Sequence, residues 1–229
     1  MSDSAGRLYI VATPIGNLSD FTLRAIETLK TVDVVLCEDT RRTRTLMQHY
    51  GLTAKLLSVH EHNERSRAAS MIERLQQGEN AAFVSDAGTP GISDPGARLV
   101  DSVVAAGIEV VPIPGPSSVT ALLSVSGFPA DRFVFEGFLP TKSGQRARRL
   151  GELTDEPRTM VFFESPYRIA RTLGEMRDAW GDRHGCVGRE LTKKFEEIRR
   201  GTMTELAVWA ASKTMRGEFV IVVHGAERG

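Results

Sequence analysis

Cysteine is almost missing from this chain: its 229 residues hold two, Cys37 and Cys186, far apart and each inside an apolar run. That excludes a disulfide-stapled scaffold and points to buried free thiols in a reducing compartment, hence to a cytoplasmic protein. An excess of charge of one sign is missing too. Lys plus Arg and Asp plus Glu both number 29, for a formal net charge of zero. This excludes a protein that coats nucleic acid by bulk electrostatics and leaves local patches to hold any RNA. Nowhere do about 18 apolar residues run together, and MSDSAGRLYIVA has no basic segment leading into a long apolar one, so neither membrane insertion nor secretion is expected. In that setting Asn17-Leu18-Ser19 is a chance match to a glycosylation acceptor. The chain lacks both GxGxxG and GxxxxGKS/T, which sets aside nicotinamide enzymes and P-loop ATPases. There are no internal repeats and no low-complexity tracts.

What is present is 41% hydrophobic residues, enough core for one large or two small domains. Short apolar runs at 8–12, 32–37, 56–59, 81–84 and 110–113 alternate with segments of helical spacing at 20–30, 43–50, 64–77 and 95–106. That alternation predicts a mostly parallel sheet. Gly51, Gly78 and Gly107 fall where helices end. Pro112, Pro114, Gly115 and Pro116 then punctuate the chain at its midpoint. In the second half, strands at 133–138, 160–163, 186–191 and 219–223, with helices at 117–126, 145–153, 166–180 and 204–212, predict a mixed sheet. The fold class expected is α/β, with two α/β domains, 1–114 and 115–229, and no third domain after the last strand.

Four loops follow candidate strands: Thr13-Pro14-Ile15-Gly16-Asn17, Glu38-Asp39-Thr40-Arg41-Arg42, the stretch SDAGTPGISDPG from Ser85 to Gly96, and Pro114-Gly115-Pro116-Ser117-Ser118. Ligand sites of open α/β sheets form at such places. The glycines allow positive φ or close approach of a ligand, and Pro90 and Pro95 stiffen the longest loop. Asp94 followed by Pro95 reads as N-cap and first residue of the next helix. The loops offer main-chain groups, small hydroxyls and prolines, a chemistry suited to a neutral or zwitterionic ligand such as an adenosine derivative.

In these and other motifs the chain closely resembles the tetrapyrrole-methylase-type superfamily of S-adenosylmethionine (SAM) dependent methyltransferases, and within it the branch acting on small-subunit ribosomal RNA. The resemblance is carried, in order along nearly the whole chain, by LYIVATPIGNLSDFTLRA, CEDTRRT, HEHNE, VSDAGTPGISDPG, PGPSS, FEGFLP, FFESPYR, RELTKKFEEI and GEFVIVV. It implies SAM enclosed between two α/β domains, a homodimer, and 2′-O-methylation of a cytidine ribose in small-subunit rRNA. By the same resemblance Pro14, Ala87, Gly88, Thr89, Ile92, Ser117 and Ser118 contact SAM from the first domain. Phe163, Glu164, Leu191 and Phe219, with main chain nearby, do so from the second. Ser117 also suits an N-cap. Thr89 stands where tetrapyrrole members carry Asp, which weakens the alternative of a tetrapyrrole or other small-molecule substrate. Longer members of the RNA branch carry a further segment beyond the position of Gly229.

A ribose hydroxyl needs a base, and Glu38, Asp39, His60, Glu61, His62, Glu64, Glu190 and Lys193 all lie in polar clusters next to strand ends. Asp39 and Glu190 are preferred because each directly ends an apolar run, with Lys193 behind them, although a helix cap or an ion pair would explain either carboxylate as well. His60-Glu61-His62 with Glu64 lacks a firm further ligand, so no metal is expected. Two basic clusters suit an RNA backbone: Arg41, Arg42 and Arg44, and a loop with Lys142, Arg146, Arg148 and Arg149 and no acid among them, expected to be mobile. Such clusters are more commonly solvated faces.

Overall fold

The computed structural model describes residues 5–60 and 63–226. The chain divides between Ser117 and Ser118 into two compact domains, each with its own five-stranded sheet.

The N-terminal domain alternates strand and helix: β1 (Leu8–Val11), α1 (Leu23–Thr31), β2 (Val34–Cys37), α2 (Thr40–His49), β3 (Lys55–Ser58), α3 (Glu64–Gln76), β4 (Ala81–Val84), α4 (Ala97–Ala105) and β5 (Val110–Ile113). The strands lie in the order β3-β2-β4-β1-β5, and every pairing is parallel. The inner strands VVLC and AAFV are buried at every residue, as strands covered on both faces must be. One face packs Leu8, Leu36 and Phe83 against Met71 and Leu75 of α3 and Leu99 and Val103 of α4. The other packs Val11, Val35 and Val84 against Ala25 and Leu29 of α1 and Met47 of α2. Pro112, which has no N–H to donate, lies on the edge strand β5 opposite Ile10, one of the few places a sheet tolerates it.

Asp94 does not cap α4. The helix begins at Ala97 after Gly96, whose φ is +131°. A Cβ at Gly96 would intrude on the Phe83 ring, so both the backbone angle and the space require glycine. The cap comes instead from α3: Oε1 of the buried Glu64 accepts from the N–H groups of Gly96, Arg98 and Leu99 at 3.1, 3.0 and 3.1 Å. One carboxylate thus satisfies the donors of a helix start and complements its dipole. Glu64→Ala is expected to destabilise the domain by about 2–3 kcal/mol, combining a lost cap with unsatisfied buried donors. A denaturant midpoint equal to wild type would show that water replaces the carboxylate.

The C-terminal domain comprises α5 (Ser118–Ser126), β6 (Phe133–Phe138), α6 (Ser143–Glu152), β7 (Thr159–Glu164), α7 (Ile169–Trp180), β8 (His184–Arg189), β9 (Glu197–Thr202), α8 (Met203–Ala211) and β10 (Phe219–Val223). Its order is β6-β7-β10-β8-β9. Only the β6–β7 pairing is parallel, so the sheet is mixed, as expected. β6 carries an irregularity between Phe135 and Gly137. Phe162, Val187 and Ile221 pack against Leu173, Met176 and Trp180 of α7 and Leu206 of α8. Strand β9 escapes sequence reading because it is an edge strand whose Arg199 and Arg200 are exposed. Charge on an edge is a device against unwanted strand pairing, not a strand signal. Cys37 and Cys186 are buried and free, and burial pushes both thiols up.

Candidate functional site

In the N-terminal sheet β1 leads to α1 on one face, while its neighbour β4 leads to α4 on the other. Adjacent parallel strands whose connections part in this way open a crevice at their C-terminal ends. Thr13 and Gly88 tie its floor together through paired main-chain bonds, Thr13 N to Gly88 O at 2.9 Å and Gly88 N to Thr13 O at 3.0 Å. The Thr13 hydroxyl donates to Ser85 O at 3.1 Å, and the Ser85 hydroxyl donates to Gly88 O at 3.1 Å. Gly88 has φ +80°, and a Cβ there would meet Ile15 and Pro116 only at 3.5 and 3.7 Å. The strand-end backbone is therefore held rigidly, and Gly88 itself is buried, its position backed by Ile15 and Pro116. Ala87 and Ile92 are exposed beside it and Thr89 is half-buried, whereas Pro14 is buried. An open cavity of about 370 Å³ beside this floor is lined by Pro14, Gly16, Arg42, Thr43, Ser85 and Asp86 among others, a volume in the range of small-molecule sites. The rigid floor, the cavity beside it and the lack of a phosphate-loop motif in the sequence fit an adenosine-type cofactor.

The carboxylates around the crevice differ in state. Asp39 is the N-cap of α2, accepting from Arg41 N at 2.8 Å, and it also pairs with the Arg41 side chain at 2.9 Å. The Arg41 guanidinium, then its backbone N–H, hold Asp39 down to about 2. A carboxylate so weakly basic is a poor proton acceptor near neutrality. Asp86 accepts from Asp39 N at 3.2 Å and pairs with Arg42 at 3.2 Å. Asp94 is half-buried, and burial first, then the charges of Glu38 and Asp86, push it up to about 6. Sequence reading gave Asp94 to a helix cap. Its signal was available only as its position on the longest glycine loop.

In the C-terminal domain, the residues that the resemblance assigns to SAM take several forms. Phe163 is half-buried and edge-on to Phe135 and Phe138, with ring centroids at 5.0 and 5.6 Å. Glu164 is buried, and its carboxylate accepts from Ser165 N, Arg168 Nε and the Thr172 hydroxyl at 2.7, 2.8 and 2.6 Å. Its oxygens are used in holding the start of α7. Leu191 and Phe219 are buried, and Phe219 pairs on both sides within the sheet, with Glu164 and Arg189. Glu190 and Thr192 have φ of +50° and +66°, and the Thr192 hydroxyl is buried without a partner. Lys193 lies between Glu190 and Glu218 at 2.9 and 2.7 Å. Burial would raise Glu190, but the Lys193 ammonium and the Glu218 N–H outweigh it and bring it down. Burial would lower Lys193, but Glu218 and Glu190 outweigh it and bring it up. Both therefore stay charged in an ion-pair network that braces a strained loop, and neither is poised as a base.

The second basic cluster is not a mobile loop. Ser143–Glu152 is the helix α6, and Arg146 is 1% exposed. Its guanidinium pairs with Glu175, at 2.8 Å through Nη2, and donates to the carbonyls of Pro140 and Thr141 at 3.0 and 2.9 Å. Arg146 is corrected from RNA contact to internal brace. Arg149 pairs with Glu136 at 2.7 Å and Glu152 at 2.8 Å, while Arg148 and Lys142 are exposed. Arg41, Arg42 and Arg44 are exposed on α2 beside the crevice. Glu61 and His62 of the histidine motif lie outside the described residues. Among the described residues no group of His, Cys, Asp and Glu could hold a metal, and no helix is long and apolar enough to cross a membrane.

Comparison with known proteins bears on this arrangement. Residues 7–207 match the family model described as Tetrapyrrole (Corrin/Porphyrin) Methylases. A protein of Mesorhizobium japonicum named ribosomal RNA small subunit methyltransferase I is 53% identical over 222 residues, covering 96% of this chain and 76% of its own length. Proteins of the same name from Pseudomonas aeruginosa and Escherichia coli O157:H7 are 50% and 47% identical, covering 97% of this chain and 80% and 79% of theirs. Among solved structures, a cobalt precorrin-4 methyltransferase of cobalamin biosynthesis superposes with a TM-score of 0.69 at 20% identity, covering 95% of this chain and 94% of that one. A uroporphyrin-III-C-methyltransferase from Thermus thermophilus superposes with a TM-score of 0.66 at 18% identity, covering 95% and 94%. These two structures share the fold. The family match over most of the chain, joined to relatives near half identity along most of their length, places it: the chain belongs to the tetrapyrrole (corrin/porphyrin) methylase family.

Proposed function

We propose that this chain is a SAM-dependent methyltransferase that methylates the 2′-hydroxyl of a cytidine in small-subunit ribosomal RNA. The observation that carries this reading is the set of relatives at 47–53% identity, each named ribosomal RNA small subunit methyltransferase I. Thr89 adds to it, since it puts no charge on the cofactor loop. In this reading the backbone of Ala87, Gly88 and Thr89, with Pro14, Ile92, Ser117 and Ser118, holds SAM, which when bound supplies a methyl group already activated on its sulfonium.

The chain's own task is then alignment and proton removal. Asp94 is the base of this proposal on position as well as charge: it lies on the same loop after β4 as Asp86, which lines the cavity, and within range of that charge. Its carboxylate, raised to about 6 by burial and by Glu38 and Asp86, accepts the proton of the ribose hydroxyl as that oxygen becomes nucleophilic. A carboxylate at that level is ionised at neutral pH yet binds a proton far better than an ordinary aspartate. Arg42 lines the cavity, and Arg41 and Arg44 are exposed on the same helix; in this reading they hold phosphates of the approaching strand. The proposal includes a cytoplasmic homodimer that uses no metal.

Transfer of labelled methyl from SAM to small ribosomal subunits, followed by nucleoside analysis, tests the reading. Label recovered in 2′-O-methylcytidine is the expected result. Label on a base, or transfer only to a small molecule, overturns it. Light scattering at micromolar concentration checks the dimer, and a monomer there removes that part.

A further inference from the structure

We propose that the C-terminal domain binds single-stranded RNA by base stacking on a rim of exposed aromatic rings, an inference that rests on the RNA-substrate reading above. The rim lies at one end of the mixed sheet. β6 and β7 run parallel and end at Phe138 and Glu164; Phe219 at the start of β10 pairs with Glu164 and Arg189, and Arg189 pairs with Glu197 at the start of β9. The ends of β6, β7 and β8 and the starts of β9 and β10 therefore share one edge of the domain. At that edge Tyr167 is 96% exposed, Phe195 is 67% exposed and Phe138, the last residue of β6, is 56% exposed. The strands that Tyr167 and Phe195 flank, β7 and β9, are three strand spacings apart, ~14 Å.

Rings exposed one at a time are ordinary on a protein surface; what sets these three apart is that they stand together along one edge of the sheet. The chemistry beside them selects the occupant. The Lys194 ammonium lies 5.6 Å from the centroid of the Phe195 ring, and Lys142 is exposed just after Phe138. Phe138 is itself supported edge-on by Phe163. The other charges of the rim largely cancel, since Lys193 sits between Glu190 and Glu218 and Arg168 on Glu164. A platform of separated π faces with isolated cations and little net field matches unstacked bases on a phosphate backbone, because every base has a face to stack and only a few phosphates need a partner. A duplex, whose bases are already stacked, offers the rings nothing.

The test uses the full chain and a fluorescent single-stranded RNA of about 12 nucleotides, read by anisotropy, with the same sequence as a duplex for comparison. Tyr167→Ala and Phe195→Ala should each weaken single-strand binding about 10-fold, and the double variant about 100-fold. SAM affinity, cooperative thermal unfolding and the salt slope of RNA binding should be unchanged. Trp at either position should restore affinity, whereas Leu, with similar apolar area and no π face, should not. Rescue by Leu, or wild-type affinity in the double Ala variant, overturns the proposal. So does a double variant that binds RNA normally but changes oligomeric state, which would make the rim a contact between copies. Failure of the wild-type chain itself to bind or methylate RNA would instead strike the reading of the substrate.

Discussion

Asp94→Asn is expected to slow methyl transfer by about 10²–10⁴-fold while leaving SAM binding intact, the range lost when a positioned base is removed. The variant is also expected to be more stable at alkaline pH. Asp94 has its folded value at about 6 against an ordinary 3.8, because burial, then Glu38 and Asp86, disfavour its charge. A folded value above the unfolded one means that the contribution to stability is fully present below about pH 4, where the group is protonated in both states. It is lost as pH rises through about 6. A rise of about two pH units corresponds to at most ~3 kcal/mol, a cost that wild type carries at pH 8 and Asn does not. Thermal unfolding at pH 8 should therefore favour the variant, and the difference should vanish toward pH 4. The wild-type rate should climb with pH through about 6. A variant that is slower and also less stable at pH 8 would assign Asp94 to packing, and full turnover would remove it as the base.

The second large effect concerns Arg146. Arg146→Ala should destabilise the C-terminal domain by about 3 kcal/mol, since it deprives Glu175 of its closest cation and leaves the carbonyls of Pro140 and Thr141 without their donor. Glu175 retains Arg171 at 2.9 Å, which limits the loss to the lower end of what a broken buried pair costs. Arg148, 78% exposed in its side chain, is the control, and its Ala variant should stay within about 0.5 kcal/mol of wild type. Both tryptophans, Trp180 and Trp209, belong to this domain, so their fluorescence reports its unfolding separately. Equal midpoints for the two Arg variants would return Arg146 to the surface.

Much of the fold could be read in advance, and the reasons are local. Val34–Cys37 and Ala81–Val84 are short apolar runs because they are central parallel strands, and their burial is written in composition alone. Strand β9 is written in a different code, with arginines outward and its pairing partner, β8, as the main evidence that it is a strand. The site's location could be read the same way, since loops after strands are visible in sequence. Its proton chemistry could not. Asp39 and Asp94 look alike in sequence, yet Arg41 two residues away lowers one, while burial, Glu38 on another loop and Asp86 eight residues earlier raise the other. The capping of α4 comes from Glu64, 32 residues before Gly96, so a nearby Asp-Pro pair was the more visible and incorrect choice. Arg146 and Arg148 are likewise separated only by Glu175, 29 residues from Arg146 on another helix.

The outer strands of both sheets have an implication for how copies of this chain can meet. β5 presents Pro112 where a neighbour would need an N–H, and β3 opens with the exposed Lys55. β9 sets two arginines outward, and the register of β6 breaks at Phe135–Gly137. None of these margins can template a further strand, so chains newly made at high local concentration are guarded against the sheet-to-sheet joining that seeds fibrils. Assembly is thereby left to side-chain surfaces, where its strength can be tuned one residue at a time.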